Sequence, residues 1–264
     1  LNQPLLACSA DGKSGIAPEN KEWLPVGYSS PFKKTEDKID EVKFNKIIDD
    51  VESYYAPIVA SLGGKLQVVR KWTDGTVNAY ANREGNTWFV TMFGGLARHE
   101  AITPDGFALV MCHELGHHIG GYPYKRDLMG SVRWASNEGQ SDYFATAKCF
   151  KHVYGNQNNS AIFFKKLATT FEASCSKAYK NQKDVALCLR AAVGGQSLAN
   201  LLAALGTSPM PKVDTPSTKT VTTHDDNHPA AQCRLDTYFQ GSLCEKGILS
   251  TSGTANHTEG YCVR

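Results

Sequence analysis

The chain lacks several features that would place it in common non-enzymatic classes. It has no block of like charge, because 28 Lys and Arg stand against 26 Asp and Glu for a net charge of +2. This balance argues against a nucleic-acid-binding protein or an acidic interaction tail, which carry a basic patch or a run of one sign. No apolar run approaches the ~18–20 residues of a membrane-spanning helix, since polar residues and paired glycines interrupt the most apolar stretch, 191–206. We expect neither a nucleic-acid partner nor a transmembrane segment.

The chain also has no Cys-x-x-Cys pair, which argues against a zinc ribbon or a thioredoxin-like motif. It nevertheless contains eight cysteines, namely Cys8, Cys112, Cys149, Cys175, Cys188, Cys233, Cys244 and Cys262. An even number of scattered cysteines favours disulfides and an oxidising compartment, so we expect an exported, periplasmic or secreted protein. The spacing favours a Cys175–Cys188 pair and local pairing among Cys233, Cys244 and Cys262.

The first residues carry no export signal, and the chain opens with Leu1. A processed signal or a trimmed chain explains this equally well. Leu5-Leu6-Ala7-Cys8 resembles a bacterial lipobox in which Cys8 is acylated, and the alternative is a short apolar segment with a disulfide cysteine. A lipid anchor at Cys8 therefore remains open.

The pattern along the chain predicts an α+β fold, mostly helical, with one small antiparallel sheet. We expect an irregular N-terminal segment over residues 1–35 and a single domain over 36–264. The predicted strands are Leu66 to Trp72, Val77 to Ala81 and Thr87 to Met92, arranged as a meander. The predicted helices cover 39–58, 103–118, 137–151, parts of 159–180, 184–194, 196–205 and about 228–239, with an exposed loop at 207–223.

One motif carries metal chemistry. His113-Glu114-Leu115-Gly116-His117 is His-Glu-x-x-His within the helix that begins at Thr103-Pro104. Residues four apart share a helical face, so both imidazoles can reach one ion. Zinc accepts imidazole nitrogens and leaves an open position for water when three protein ligands bind. Glu114, beside the first ligand, can take a proton from that water. The alternative is a buried helix with incidental polar residues, which would leave two histidines and a glutamate buried without partners.

A third ligand is predicted on the next helix. Glu138 stands at its start, and Asp142 follows one turn later on the same face. This spacing suits Glu138 as ligand and Asp142 as a residue that orients a ligating imidazole through its other N–H. Acidic residues also favour helix N-termini, which is the alternative for both. His118 and Cys112 should point away from the ion, the latter as a buried thiol or disulfide partner.

Further elements accompany these motifs. They are Val77-Asn78-Ala79-Tyr80-Ala81, Trp88-Phe89-Val90-Thr91, Gly94-Gly95-Leu96, His228-Pro229 and Arg234. In this order, over roughly residues 40–240, the chain resembles the gluzincin metallopeptidases of the CAAX prenyl protease and HtpX family, in a soluble periplasmic or secreted branch. The resemblance implies a zincin-like (minigluzincin) domain. Gly139-Gln140-Ser141 and the eight cysteines depart from the family pattern.

The resemblance implies one Zn²⁺ held by His113, His117 and Glu138, with Glu114 as general base. The resemblance also implies that His228 approaches the metal or the reaction centre and that Arg234 supports His228. His224 is a competing candidate for the role of His228. We expect His228 to be either a transition-state stabiliser or a fourth ligand that keeps the enzyme latent. It further implies that the strand Thr87 to Met92 is an edge along which a protein or peptide substrate binds.

The expected activity is hydrolysis of internal peptide bonds by a zinc metalloendopeptidase. A zinc-containing chaperone or assembly factor for envelope proteins is the main alternative, and the intact Glu114 weighs against it. A purely structural zinc domain fits three ligands and an open position poorly.

Overall fold

The protein is described by a computed structural model over residues 15–127, 129–206, 208–218 and 226–245, with the backbone of Leu5–Leu6. The strands are β1 (Leu5–Leu6), β2 (Lys65–Lys71), β3 (Ala79–Glu84), β4 (Thr87–Phe93), β5 (Tyr124–Arg126) and β6 (Val132–Ser136). The helices are α1 (Glu41–Ser61), α2 (Gly94–Arg98), α3 (Pro104–Ile119), α4 (Glu138–Phe144), α5 (Phe150–Tyr154), α6 (Ala168–Ala178), α7 (Gln182–Leu205) and α8 (Ala231–Leu243). A fold that is 52% helical with two small sheets confirms the predicted α+β class.

Helix α3 is the central element, and its limits follow from its sequence. The Thr103 hydroxyl accepts the N–H of Gly106, Pro104 occupies the first helical position, and the helix ends at Gly120. Thirteen consecutive residues, from Gly106 to His118, are buried. The helix packs against α1, α4, α7 and the sheet, so its polar residues lie in the interior.

The predicted antiparallel meander is wrong for its first strand. β4 pairs antiparallel with β3 on one side and parallel with β2 on the other, so the order is β1-β3-β4-β2. The loop between β2 and β3 is not a tight turn, and two of its carbonyls accept hydrogen bonds from α2. The N–H of Gly95 donates to the Asp74 carbonyl at 2.9 Å, and Arg98 donates to the Trp72 carbonyl at 3.0 Å.

Helix α7 is continuous over Gln182–Leu205, whereas the sequence predicted two helices that meet at its paired glycines. These glycines serve close helix packing. A Cβ on Gly194 would lie 3.1 Å from Leu109 of α3, and a Cβ on Gly195 would lie 2.7 Å from Tyr238 of α8. Helix α7 meets the length and composition of a membrane span, but 89% of its apolar window is buried inside the protein, as in a core helix.

The remaining helices differ from prediction mainly at their ends. The predicted helix 137–151 is α4, a π-helical turn Ala145–Cys149 and α5, which run on to Tyr154. Helix α8 begins at Ala231 rather than near His228, so His228 stands in the preceding loop. In the N-terminal segment, Ile16, Ala17 and Leu24 are buried in the main core.

Disulfides join helices at two places in the described chain. Cys175–Cys188 links α6 to α7, as predicted, and Cys112–Cys149 links α3 to the π-helical turn. These two bonds indicate an oxidising compartment. Cys233 is a free thiol, whereas Cys244 is disulfide-bonded. The local pairing predicted among Cys233, Cys244 and Cys262 therefore does not include Cys233, and the partner of Cys244 stays a prediction. Cys8 and Cys262 lie outside the described residues.

Candidate metal centre

Two imidazoles face each other on helix α3. His113 and His117 are both fully buried, and their ring centroids are 4.7 Å apart. They stand one helical turn apart, so the geometry follows directly from the spacing that the motif provides. The two rings therefore share one interior site.

The start of α4 brings a carboxylate to the same site. Asn137 caps this helix by accepting the N–H of Gln140 at 2.9 Å, which fixes Glu138 at its first position. The two helices approach closely at Gly116, where a Cβ would lie 2.9 Å from the Cα of Ser141. The glycine inside the motif thus permits the contact that Glu138 needs.

The three side chains converge on a common point. The Nε2 atom of His113 lies 3.3 Å from Oε2 of Glu138, and Nε2 of His117 lies 3.7 Å from Oε1. All three ligand atoms lie within 4.8 Å of one another. His113 Nε2 and Glu138 Oε2 are buried, and neither meets a hydrogen-bond partner in suitable geometry among the described residues. This group therefore fits a metal ion, which would satisfy both atoms.

Each imidazole is oriented by a hydrogen bond from its other nitrogen. His113 Nδ1 lies 2.7 Å from Oδ1 of Asp142, and His117 Nδ1 lies 2.8 Å from the carbonyl of Ser136. Because a carboxylate and a carbonyl accept, both Nδ1 atoms donate, and both Nε2 atoms face the centre. Asp142 thus makes the contact that its spacing predicts.

Asp142 is itself held by α8. Arg234 donates to it through Nε at 2.8 Å and Nη2 at 2.7 Å, and the Tyr238 hydroxyl donates at 2.6 Å. Burial raises the pKa of Asp142, but the Arg234 guanidinium outweighs it and the net pKa is lowered. The carboxylate is therefore ionised and can accept from His113.

The pKa shifts at the centre leave Glu138 ionised, His117 neutral and His113 protonated. Burial raises the pKa of Glu138, but the ammonium group of Lys125 outweighs it, and the net pKa lies well below its usual range. Burial lowers the pKa of His117, so this ring is neutral. Burial also lowers the pKa of His113, but Asp142 reverses the effect and raises it to about 9. A metal that binds here would displace a proton from His113.

His118 points away from the centre, as the sequence predicts, and the role of Glu114 as general base stays a prediction. Glu114 is fully buried on α3, next to the first imidazole in the chain. His118 lies off the centre between the rings of Trp88 and Trp134, with Nε2 at 3.0 Å from the Phe89 carbonyl. Burial lowers the pKa of His118 to about 3, consistent with a structural, neutral ring.

His228 approaches the centre from the loop before α8. Its Nε2 atom lies 3.8 Å from Oε2 of Glu138 and 2.8 Å from the carbonyl of Gly15. Because a carbonyl only accepts, this Nε2 carries the proton and offers no lone pair to a metal in this arrangement. The predicted fourth-ligand role therefore requires the contact with Gly15 to break. His224, the competing candidate, lies outside the described residues.

Arg234 lies beside the centre, with its Nη2 atom 3.3 Å from Nδ1 of His113. It is 1% exposed and is bound to Asp142 and to the carbonyl of Ile16, at 2.7 Å from the latter. Its Nη2 remains 3.9 Å from Glu138. Arg234 therefore holds Asp142, which in turn orients His113, and its predicted support of the reaction stays a prediction.

The predicted substrate-binding strand is wrong as an edge. Thr87 to Met92 belongs to β4, whose two sides are both paired, with β2 and with β3. An extended peptide needs free backbone N–H and C=O groups to add a strand, and β4 has neither side open.

Two residues at the centre were missed by sequence reasoning. Tyr238 follows Arg234 by one helical turn, so the i,i+4 spacing on α8 was a usable signal. Lys125, whose Nζ lies 2.8 Å from Oε1 of Glu138, stands on the short strand β5 with no periodicity around it. Only the folded chain brings this lysine to Glu138.

Comparison of the chain with protein-family models, with curated proteins and with solved structures found no match. The resemblance to gluzincin metallopeptidases therefore stays a prediction from the motifs quoted above.

Proposed function

We propose that the chain is a zinc-dependent endopeptidase that hydrolyses internal peptide bonds of protein substrates. The observation that carries the proposal is the convergence of His113, His117 and Glu138, with each imidazole oriented by a hydrogen bond from Nδ1. Two imidazoles and one carboxylate form the ligand set of catalytic zinc sites, in which a fourth position stays open.

In the proposed reaction, a zinc ion held by His113, His117 and Glu138 would supply polarisation of the scissile carbonyl and a lower pKa of the attacking water. Glu114 accepts the proton of the attacking water and passes it to the leaving amine. Asp142 keeps His113 in the tautomer that presents Nε2. His228, once released from Gly15, can donate its Nε2–H to the developing oxyanion.

Access to the centre requires part of its cover to move. His113, Glu114, His117 and Glu138 are all fully buried. Hydrogen bonds tie the covering segments together: His228 to the Gly15 carbonyl, and the backbone N–H of Arg126 on β5 to the Asp226 carboxylate at 2.8 Å. We infer that a peptide enters only when these contacts open, which is how a latent state would arise.

The test uses purified protein with zinc, an unfolded protein substrate and the variant Glu114→Gln. We expect one zinc per chain in both proteins, and we expect cleavage to fall by about 10²–10⁴-fold in the variant. A chelator should stop cleavage by the native chain. Glu172→Gln, on the exposed surface of α6, is the matched control and should cleave normally. Undiminished cleavage by Glu114→Gln, or no metal binding by the native chain, would refute the proposal.

Complete burial of the centre also favours a second candidate, a zinc-containing chaperone or assembly factor for envelope proteins. Such a protein would suppress aggregation of the unfolded substrate without cutting it, equally well with Glu114→Gln. We further propose an exported location, periplasmic or secreted, with the lipid anchor at Cys8 still a prediction. Labelling with a radioactive fatty acid in a bacterial host tests that anchor.

A further inference from the structure

A buried lysine divides the two oxygens of Glu138 between different partners. Lys125 is 6% exposed, and its Nζ lies 2.8 Å from Oε1 of Glu138, which is fully buried. A buried ammonium group is costly unless it is paired, so this contact is retained strongly in the folded protein. Oε1 is therefore engaged by an internal cation.

The second oxygen, Oε2, is the one that remains for a metal. It faces Nε2 of His113 at 3.3 Å and meets no hydrogen-bond partner in suitable geometry among the described residues. The neighbouring His228 and Arg234 stay at 3.8 and 3.9 Å from it. The two carboxylate oxygens are thus not equivalent before any ion binds.

This asymmetry matters because a carboxylate can bind a metal through one oxygen or through both. If Glu138 used both oxygens, it would occupy the position that a catalytic zinc site keeps open. An ammonium group on Oε1 opposes that binding mode, since it competes with the ion for the same lone pairs.

We propose that Lys125 is a positioning residue that holds Oε1 of Glu138, so that Oε2 alone is offered to the metal and one coordination position stays open. The inference rests on the proposed metal site, and it does not require that the natural reaction be proteolysis. The positive charge of Lys125 reduces the negative charge that Glu138 offers to the metal. It therefore favours an open coordination position at the expense of metal affinity.

The experiment replaces zinc with Co²⁺, whose visible absorption is strong in four-coordinate sites and weaker when a fifth ligand binds. Lys125→Met removes the ammonium group and keeps a long side chain. We expect the cobalt absorption to fall by about twofold or more, while the zinc affinity stays equal or rises. Cleavage, where the native chain cleaves, should fall by about 10–100-fold.

Two further variants distinguish a role of Lys125 in positioning Glu138 from a role in stabilising the fold. Lys125→Arg retains a cationic donor at this position, so its cobalt spectrum should match that of the native chain. Arg126→Met, on the exposed next position of β5, is the matched control and should leave the spectrum unchanged. If Lys125 only stabilised the fold, Lys125→Met would lose metal affinity without a change in the spectrum of the bound fraction.

The outcomes also separate this inference from the proposed function. Absence of Co²⁺ and Zn²⁺ binding by the native chain would overturn both. A native cobalt spectrum in metal-loaded Lys125→Met would overturn only the role of Lys125. A changed spectrum in a chain whose native form binds metal but does not cleave would uphold Lys125 and contradict the peptidase.

Discussion

Two buried regions of this molecule are stabilised in different ways. The polar centre, defined by Glu138, Asp142, Arg234, Tyr238 and the two imidazoles of α3, is buried but charged. The α6–α7 cluster contains Ile162, Ala168, Phe171, Cys175, Val185, Ala186, Cys188, Leu189, Ala192 and Val193. It is apolar and is tied by one disulfide. Burial alone therefore does not say how a region tolerates change; the chemistry of its partners does.

The difference has an energetic consequence. In an apolar cluster, truncating one side chain removes contacts and leaves a cavity, and the neighbours relax in part. In the polar centre, removing one partner leaves a buried charge or donor without its counterpart, which costs the full desolvation of that group. The polar centre should thus be more sensitive to single changes and more readily rescued by paired ones.

The largest effect is expected for Arg234→Met in the polar centre. The change leaves the Asp142 carboxylate buried without its cation, and we expect a loss of about 3–5 kcal/mol in the free energy of unfolding. Adding Asp142→Asn removes the charge and keeps an acceptor for His113 and Tyr238, so the double variant should recover at least half of that loss. Urea unfolding of the three proteins measures both steps. If Arg234→Met is as stable as the native chain, the polar centre is not more sensitive to single changes than the α6–α7 cluster.

The polar centre and its helix were predictable because their signals are local. The cap at Thr103, the spacing of His113 and His117, and the turn between Glu138 and Asp142 all lie within single helices. Such short-range geometry is fixed by the helical repeat, so residue types at those spacings suffice. These parts of the site agree with prediction.

The errors have a common physical origin in contacts between distant segments. Nothing near Lys125 marks it as a partner of Glu138, and nothing near Gly15 marks its carbonyl as the acceptor for His228. Likewise, β2 pairs with β4 while α2 binds the loop that follows β2, and Gly194 lies inside a helix that packs closely against α3. In each instance the structure depends on contacts between segments that are distant in the sequence, and the local pattern of residues does not contain this information.

The second prediction concerns the α6–α7 cluster. Replacing Cys175 and Cys188 by Ala opens a loop with a sequence separation of 13 residues. The loss should be about 3 kcal/mol, because the unfolded chain regains entropy. Metal affinity should stay unchanged, since this disulfide lies outside the polar centre. Cys233→Ala removes a free thiol and is the matched control for urea unfolding and metal titration. Reduced metal affinity in the double variant alone would mean that the two regions are coupled.

The smallest effect near neutral pH is expected at Lys151, which lies where the end of α8 meets Tyr179. Its Nζ donates to the Tyr179 hydroxyl at 2.7 Å and to the carbonyls of Gly241 and Cys244 at 3.1 and 2.9 Å. Burial lowers the pKa of Lys151 to about 7, whereas the unfolded chain keeps it near ~10.4. Between these values the unfolded state binds more protons, so this group makes stability rise with pH.

The slope at Lys151 is at most about 1.4 kcal/mol per pH unit, and it vanishes below pH 7 because both states are then protonated. Urea unfolding from pH 6 to 10 should thus show a steeper rise for the native chain than for Lys151→Met. Lys177→Met, on the exposed face of α6, should keep the native slope. If the free energies of unfolding of all three proteins change with pH in parallel, the three acceptors keep Lys151 charged in the folded protein. Lys151 would then be ionised although it is buried, like the charged residues of the polar centre.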